Sequence, residues 1–261
     1  MTATEPRRTG VRSVVKAVQL LRFVAEESVP ATATEIAKAL GLPTPTAYHL
    51  LNTLVAEGLL AKNDARRYTL GPTVGLLADG FLNRIAPPRY LLGPLQDLAD
   101  ETGETAYLSG WRDGEIVVLR TVEGNHPVHV MGLRVGYVGA AHARATGKLL
   151  LAFASEGVRG SYLETHALER YTDSTIVEPE QLEEELTRIV RRGYALEEEE
   201  FSEGVSCIAA PVHLYGEAAG GLVGAFTLAV PTDRFDRNFE ELVAALLRAV
   251  AVPAPAPLGR T

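Results

Sequence analysis

Several groups of side chains in this 261-residue chain have types or spacings that suggest chemistry. Gly147-Lys148 resembles the end of a phosphate-binding loop, but that motif needs glycine where His142 stands and Ser or Thr where Leu149 stands. No phosphate cradle is read there. His126 and His129 are near enough to share a metal, yet an odd offset along a strand points them to opposite faces, so an ion would need His142 or a carboxylate as well. They read instead as surface or hydrogen-bonded histidines. Cys207 with His142 or His213 would supply a nucleophile and a base, but no third orienting group or nucleophile elbow accompanies them. The apolar run Val205-Ser206-Cys207-Ile208-Ala209-Ala210 would also raise the thiol's pKa and leave it inert. No enzyme activity, metal or cofactor is expected.

A further group suits recognition. Thr44, Thr46, Tyr48, His49 and Asn52 can hydrogen-bond base edges or phosphates, while Arg12, Arg66 and Arg67 can neutralise phosphates. To act together they need one exposed helix face and an adjoining turn, and the surrounding pattern supplies both. Val14, Val15, Val18, Leu20, Leu21 and Val24 recur at helical spacing after Ser13, a plausible cap. Thr34 to Leu40 reads as a short helix stopped by Gly41. Thr44 can cap a helix starting at Pro45, with Ala47, Leu50, Leu51, Leu54 and Val55 on its buried face up to Gly58. Leu59 to Lys62 and Arg66 to Leu70 flank the polar turn Asn63-Asp64 as a hairpin. Helix, glycine turn, helix and hairpin describe a winged helix-turn-helix, whose second helix enters the major groove while the wing meets phosphates. The plainer alternative is a small helical domain with a solvated polar face.

Composition bears on the partner. The chain is 46% hydrophobic and 22% charged, which is globular, and its net charge of -8 argues against nucleic acid until it is divided. Residues 1–85 carry ten basic and seven acidic side chains, giving +3, whereas 86–261 carry fifteen and twenty-six, giving -11. A mildly basic module is thus joined to an acidic one. The single cysteine excludes an intramolecular disulfide framework and suggests a reducing compartment. Met1 to Arg12 lacks the apolar run of a secretion signal, and Ala218 to Thr232 is too short for a membrane helix, so a cytoplasmic protein without a membrane partner is expected.

The remaining elements are mixed. Helices are read over Thr73 to Asn83, Tyr90 to Thr102, Ala145 to Phe153, Pro179 to Arg191 and Phe239 to Val250. Thr105 to Arg112 and Glu115 to Val122 flank Asp113-Gly114, a strong hairpin signal, and Val128 to Leu133, Val205 to Leu214 and Leu222 to Val230 read as further strands. The fold class is α+β. The domain division is a flexible tail over 1–12, a winged helix-turn-helix over 13–71, a linker helix over 72–87, an α+β domain over 88–251, and a Pro- and Ala-rich disordered tail over 252–261.

Ser13 to Leu21, Glu35-Ile36-Ala37, Gly41-Leu42-Pro43, Leu50 to Leu54 with Gly58, and Tyr68-Thr69-Leu70-Gly71 resemble the DNA-binding domain of the IclR family of bacterial transcriptional regulators. The resemblance extends to that family's effector domain through Ala143 to Ala152, Gly193-Tyr194-Ala195-Leu196-Glu197 and Gly204 to Val212. It implies a GAF-like C-terminal domain, a linker helix sharing in dimer contacts, a homodimer or dimer of dimers on double-stranded operator DNA, and a small-molecule effector, often an organic or aromatic acid. That effector would lie between the central sheet and the loop preceding the small-residue helix. Carried over by position, Ala145 and Thr146 would offer backbone N–H groups, Glu197 stands where the family commonly has Asp, Cys207 matches directly, and Thr227 matches a hydroxyl position. Ala229 falls where a second hydroxyl is often found, which predicts an effector larger or less polar than a short keto acid. Glu198 to Glu200 read as a solvated acidic loop. The family usually has basic residues where Thr44 and His49 stand, so phosphate contacts are expected from Arg12, Arg66 and Arg67. A competing reading is a small-molecule-binding enzyme or sensor with an incidental helical appendage.

Overall fold

A computed structural model describes residues 11–213 and 223–251, and its contacts divide the chain into Met1–Arg84 and Ile85–Thr261. In the first unit, α1 (Arg12–Glu26) buries Leu20 and Val24. Its N-cap is Val11, with no side-chain cap bond, so Ser13 lies inside the helix and Arg12 is its first residue instead of part of a tail. β1 (Ala31–Thr32) leads into α2 (Ala33–Ala39) through a capping box: the Thr32 N–H donates to Glu35 Oε2 at 2.7 Å, and the Glu35 N–H donates back to Thr32 Oγ1 at 3.4 Å. Gly41, at φ +62°, takes the left-handed conformation that ends this helix and turns the chain. α3 (Thr44–Ala56) follows, capped by Pro43 without a side-chain bond. Thr44 is therefore its first helical residue, not the cap expected from the sequence. β2 (Leu60–Lys62) and β3 (Arg67–Leu70) form the predicted hairpin, and β1 adds to β3 to give a three-stranded sheet in the order β1-β3-β2. Two residues were too few to read as a strand. Leu20, Ile36, Leu51, Leu54, Leu60 and Tyr68 close the core. α4 (Pro72–Ile85) leaves this unit.

The second unit opens with a 3-10 turn and α5 (Leu92–Thr102). β4 (Thr105–Arg112) and β5 (Glu115–Val122) are joined by Asp113 and Gly114, both at positive φ, the tight turn that an Asp-Gly pair favours. Then come α6 (Ala145–Ala152), α7 (Glu156–Thr165), α8 (Pro179–Arg192), β6 (Ala195–Glu198), β7 (Val205–His213), β8 (Val223–Pro231) and α9 (Thr232–Val250). The five strands pair antiparallel in the order β5-β4-β8-β7-β6. Alternation decides the two faces. Leu108, Ile208, Ala210, Phe226, Leu228 and Val230 pack with α5 and α9, whereas Tyr107, Cys207, Ala209, Ala225 and Ala229 face α6 and α8.

Two expectations for this unit change, and one helix is new. Val128 to Leu133 is not a strand: it is part of a strap from 123 to 139 that is fastened to the sheet, with Thr105 Oγ1 donating to the Val130 carbonyl and Thr121 Oγ1 to that of Leu133, both at 2.6 Å. α9 starts seven residues before the predicted Phe239, because the helix continues through a break at Asn238 (φ -114°, ψ 16°). α7 had no counterpart in the sequence reading. Leu214, Ala218 to Leu222 and the 252–261 tail lie outside the described residues.

Gly147 marks a close approach. A Cβ there would sit 2.2 Å from the Ala141 carbonyl oxygen and 2.3 Å from its Cα, both backbone atoms that cannot rotate away. The glycine of the supposed phosphate motif is thus a packing residue between α6 and the turn before it. Gly147→Ala is expected to cost about 1–3 kcal/mol, read as a lower denaturation midpoint of the full chain.

Candidate functional site

In the first unit the polar arc of α3 is uncovered. Thr44, Tyr48, His49 and Asn52 are exposed, Thr46 is half-buried at the edge of the arc, and Ala47, Leu51 and Leu54 hold the opposite face in the core. No Lys or Arg occurs on this helix. Thr53, which the sequence reading passed over, shares the arc, although its hydroxyl donates to the His49 carbonyl at 3.0 Å. Arg12 is exposed at the start of α1, and Arg66 is exposed at the wing tip with φ +58°.

Arg67 differs. One of its guanidinium nitrogens, Nη1, donates to the Pro30 carbonyl at 2.7 Å and lies 3.3 Å from Glu35 Oε2. It ties the wing to the cap of α2, and the Thr32 bonds, followed by the Arg67 charge, hold the Glu35 carboxyl below its usual range. The predicted phosphate contact is thus already engaged inside its own domain.

In the second unit a cavity of about 160 Å³ lies on the α6 side of the sheet. Its walls are Tyr107 of β4, Ala229 of β8, Val205 and Cys207 of β7 and Glu197 of β6; the strap contributes Val130 to Leu133, and Phe201, Ser202 and Arg144 complete it. Of the predicted effector residues, Glu197, Cys207 and Ala229 therefore line it. Ala145, Thr146 and Thr227 are buried but do not. The Thr146 and Thr227 hydroxyls bond each other, beside Tyr107 and Cys207. The hydroxyl at Thr227 is thus satisfied within the sheet and helix.

Glu197 anchors the turn after β6: its Oε1 accepts the N–H groups of Glu200 at 2.7 Å and Phe201 at 3.2 Å. Burial pushes its carboxyl up to about 7, against the bonds from Cys207, Phe201 and Glu200 that favour ionisation. Burial, and then the neighbouring Glu197 carboxylate, push the Cys207 thiol well above its ordinary range, so it is a wall and not a nucleophile. His142 is buried with Nε2 2.8 Å from the Glu169 carbonyl, and burial lowers its pKa. His129 meets the His126 carbonyl, His126 faces Glu104, and no cluster of metal-ligating side chains occurs among the described residues.

Two charges were misread or missed. Glu200, placed in a solvated loop, is buried and paired with Lys148 of α6. Arg144, at the N-cap of α6, is 2% exposed, and its Nε, Nη1 and Nη2 have no hydrogen-bond partner among the described residues. Its guanidinium lies over the Tyr137 ring, 5.0 Å from the centroid. The sequence did hold a signal: a lone cation in the small-residue run Ala141 to Gly147.

Comparison with known proteins follows the same division. Residues 13–64 match the IclR helix-turn-helix domain, and residues 89–253 match the bacterial transcriptional regulator IclR C-terminal domain. The HTH-type transcriptional regulator BhcR of Paracoccus denitrificans is 36% identical over 216 residues, covering 82% of this chain and 76% of that protein. The crystal structure of the Thermotoga maritima IclR superposes with a TM-score of 0.73 at 27% identity, over 92% of this chain and 96% of that one. An IclR homolog from Microbacterium hydrocarbonoxydans, complexed with 4-hydroxybenzoate, has the same fold at TM-score 0.68 and 24% identity, over 91% and 95% of the two chains.

Two outcomes are expected of this geometry. Arg67→Ala should destabilise the first unit by roughly 1–2 kcal/mol, seen as faster hydrogen exchange along β1 and β3, while Arg66→Ala leaves exchange unchanged. Because the Glu197 carboxyl is raised from 4.5 to about 7 on folding, its contribution is full below pH 4.5 and is lost as pH rises to 7. Glu197→Gln lacks that loss, so denaturation of both proteins between pH 4.5 and 7 should show the variant gaining on the wild type by roughly 3 kcal/mol. A difference independent of pH would contradict it.

Proposed function

The chain belongs to the IclR family of bacterial transcriptional regulators, and on that premise we propose that it acts in the cytoplasm as a homodimer whose operator affinity is set by a small organic acid in the C-terminal cavity. It is a regulator with a helix-turn-helix DNA-binding domain and an effector domain, not an enzyme. In this reading residues 13–71 read DNA, 72–87 link, and 88–251 sense.

The observation that carries the proposal is the combination, in one chain, of an uncovered polar arc on the second helix of the helix-turn-helix and a cavity with a buried cation in its wall. Thr44, Thr46, Tyr48, His49 and Asn52 would read base edges, and Arg12 and Arg66 would meet phosphates. Such a head binds weakly alone, so two half-sites read together are needed. The linker helix offers the means: Leu76 and Leu77 are 72% and 61% exposed, and Phe81 and Leu82 extend the same apolar face. A second copy would cover it, as it would the exposed Val14, Val15 and Val18 of α1. The acidic C-terminal half, at -11, would stay off the phosphate backbone. No described helix is long and apolar enough to cross a membrane.

The effector would shift the population between states that bind operator differently. A relative's complex with 4-hydroxybenzoate supports an organic or aromatic acid in this role, and the methyl of Ala229 in the cavity wall supports a ligand less polar than a short keto acid. A gel shift on the DNA upstream of the protein's own gene, at two salt concentrations, is the test. Specific retardation that weakens with salt is expected, and its absence at low salt would overturn the proposal. Arg12→Ala and Arg66→Ala should weaken binding to all sequences alike and each lower the salt slope by about 1, whereas Thr46→Ala should change the preference between sequences.

A further inference from the structure

Arg144 and Lys148 are the buried cations among the described residues, and they differ in one respect. Lys148 is paired with Glu200. Arg144 meets no carboxylate, and none of its three guanidinium nitrogens has a hydrogen-bond partner among the described residues. Less buried arginines of the same unit are better supplied: Arg234 donates to Glu104 Oε2 at 2.8 Å, and Arg192 to Glu185 Oε1 at 2.8 Å. An arginine carries five N–H donors and no acceptor, and burying them unpaired opposes folding. Neither hydrogen bonds nor ion pairs among the described residues account for its burial.

Its surroundings define what would pair with it. The Tyr137 ring lies against the guanidinium, and the three guanidinium nitrogens are buried with no acceptor among the described residues. The cavity that Arg144 lines offers mostly carbon: Val130, Leu133, Val205, Ala229 and the faces of Tyr107 and Phe201. The Tyr107 hydroxyl lies beside Thr146 and Cys207. Glu197 is the one carboxylate in the wall, and its Oε1 is held by two backbone N–H groups.

We propose that Arg144 is the receptor for one carboxylate of the effector, the fork of the guanidinium taking the planar anion while the apolar walls take its body, and that Glu197 bars a second carboxylate. The inference rests on the regulator reading above and names the ligand within it: a compact, largely apolar monocarboxylate. A planar carboxylate matches the guanidinium edge in two parallel hydrogen bonds. A neutral amide cannot complete the pair, and a second carboxylate held inside the cavity would meet Glu197, the carboxylate in its wall.

Thermal melting of the full-length protein tests this, using wild type, Arg144→Met and Arg144→Lys, each alone and with benzoate, 4-hydroxybenzoate, 4-hydroxybenzamide, terephthalate or inorganic phosphate. Without ligand, Arg144→Met should melt higher than wild type, because it removes an unpaired buried charge. A structural arginine would give the opposite. A monocarboxylate should raise the wild-type midpoint, bind at least tenfold more weakly to Arg144→Lys, and leave Arg144→Met unmoved; the amide, terephthalate and phosphate should have little effect. Terephthalate should gain on Glu197→Gln. The proposal is overturned if no monocarboxylate stabilises the wild type, if amide or phosphate does so as well as carboxylate, or if Arg144→Met melts lower. Should that variant not fold, Arg144→Lys decides by whether it binds carboxylate as tightly as wild type. Gel shifts of the same variants separate the two readings: retained DNA binding with no acid response fails this inference alone, and absent DNA binding in the wild type fails the regulator reading.

Discussion

The C-terminal half depends on the period-two alternation of β7 and β8, two of the three inner strands of the five-stranded sheet. On β7, Cys207 and Ala209 face α6 while Ile208, Ala210 and Val212 face α5 and α9; on β8, Ala225 and Ala229 oppose Phe226, Leu228 and Val230 in the same way. The register pairs Cys207 with Ala229 and Ile208 with Leu228, so small residues lie beside small ones and large beside large. One face is thus filled by side chains, and the other is hollowed by their smallness. A slip of one residue would put Phe226 and Leu228 into the hollow and the alanines into the core. The cavity is a consequence of strand register before it is a matter of ligand chemistry.

Charge then organises what the alanines leave open. Lys148 reaches from α6 to Glu200, and Glu200 donates its backbone N–H to Glu197, so helix, turn and cavity wall form one linked set. The Thr172 and Thr175 hydroxyls add to it by donating to the Glu199 and Glu200 carbonyls at 2.6 Å. Buried pairs of this kind add little net stability but fix geometry, because the alternatives leave a charge without a partner. Arg144, in the same helix start, breaks that pattern, and function is the economical reason for the exception.

Local signals were legible and tertiary ones were not. The β4–β5 hairpin was read to the residue because Asp113-Gly114 determines its turn locally. The second half of α9 was clear, yet its first turns were hidden by the sequence around Asn238, where the backbone leaves helical geometry. Val128 to Leu133 looked like a strand by composition, but a strand needs a ladder partner, and this stretch hangs instead on side chains, two threonine hydroxyls and the Arg234 guanidinium. The same limit governed the site. Glu197, Cys207 and Ala229 could be placed by position in the family's pattern, whereas Arg67 engaged by Pro30, Glu200 buried against Lys148, and Arg144 without a hydrogen-bond partner among the described residues are facts about neighbours distant in the chain.

The uncharged surface of α3 has an evolutionary side. Its reading arc holds Thr, Tyr, His and Asn, while the cations exposed on the same domain, among them Arg12 and Arg66, stand on other elements. If the arc reads bases as proposed, uncharged substitutions along it would alter neither the domain's charge nor its phosphate contacts, so new target sequences could be sampled without first losing hold of DNA. Operator choice and grip on the duplex would then be held by different residues, and each could drift under its own selection.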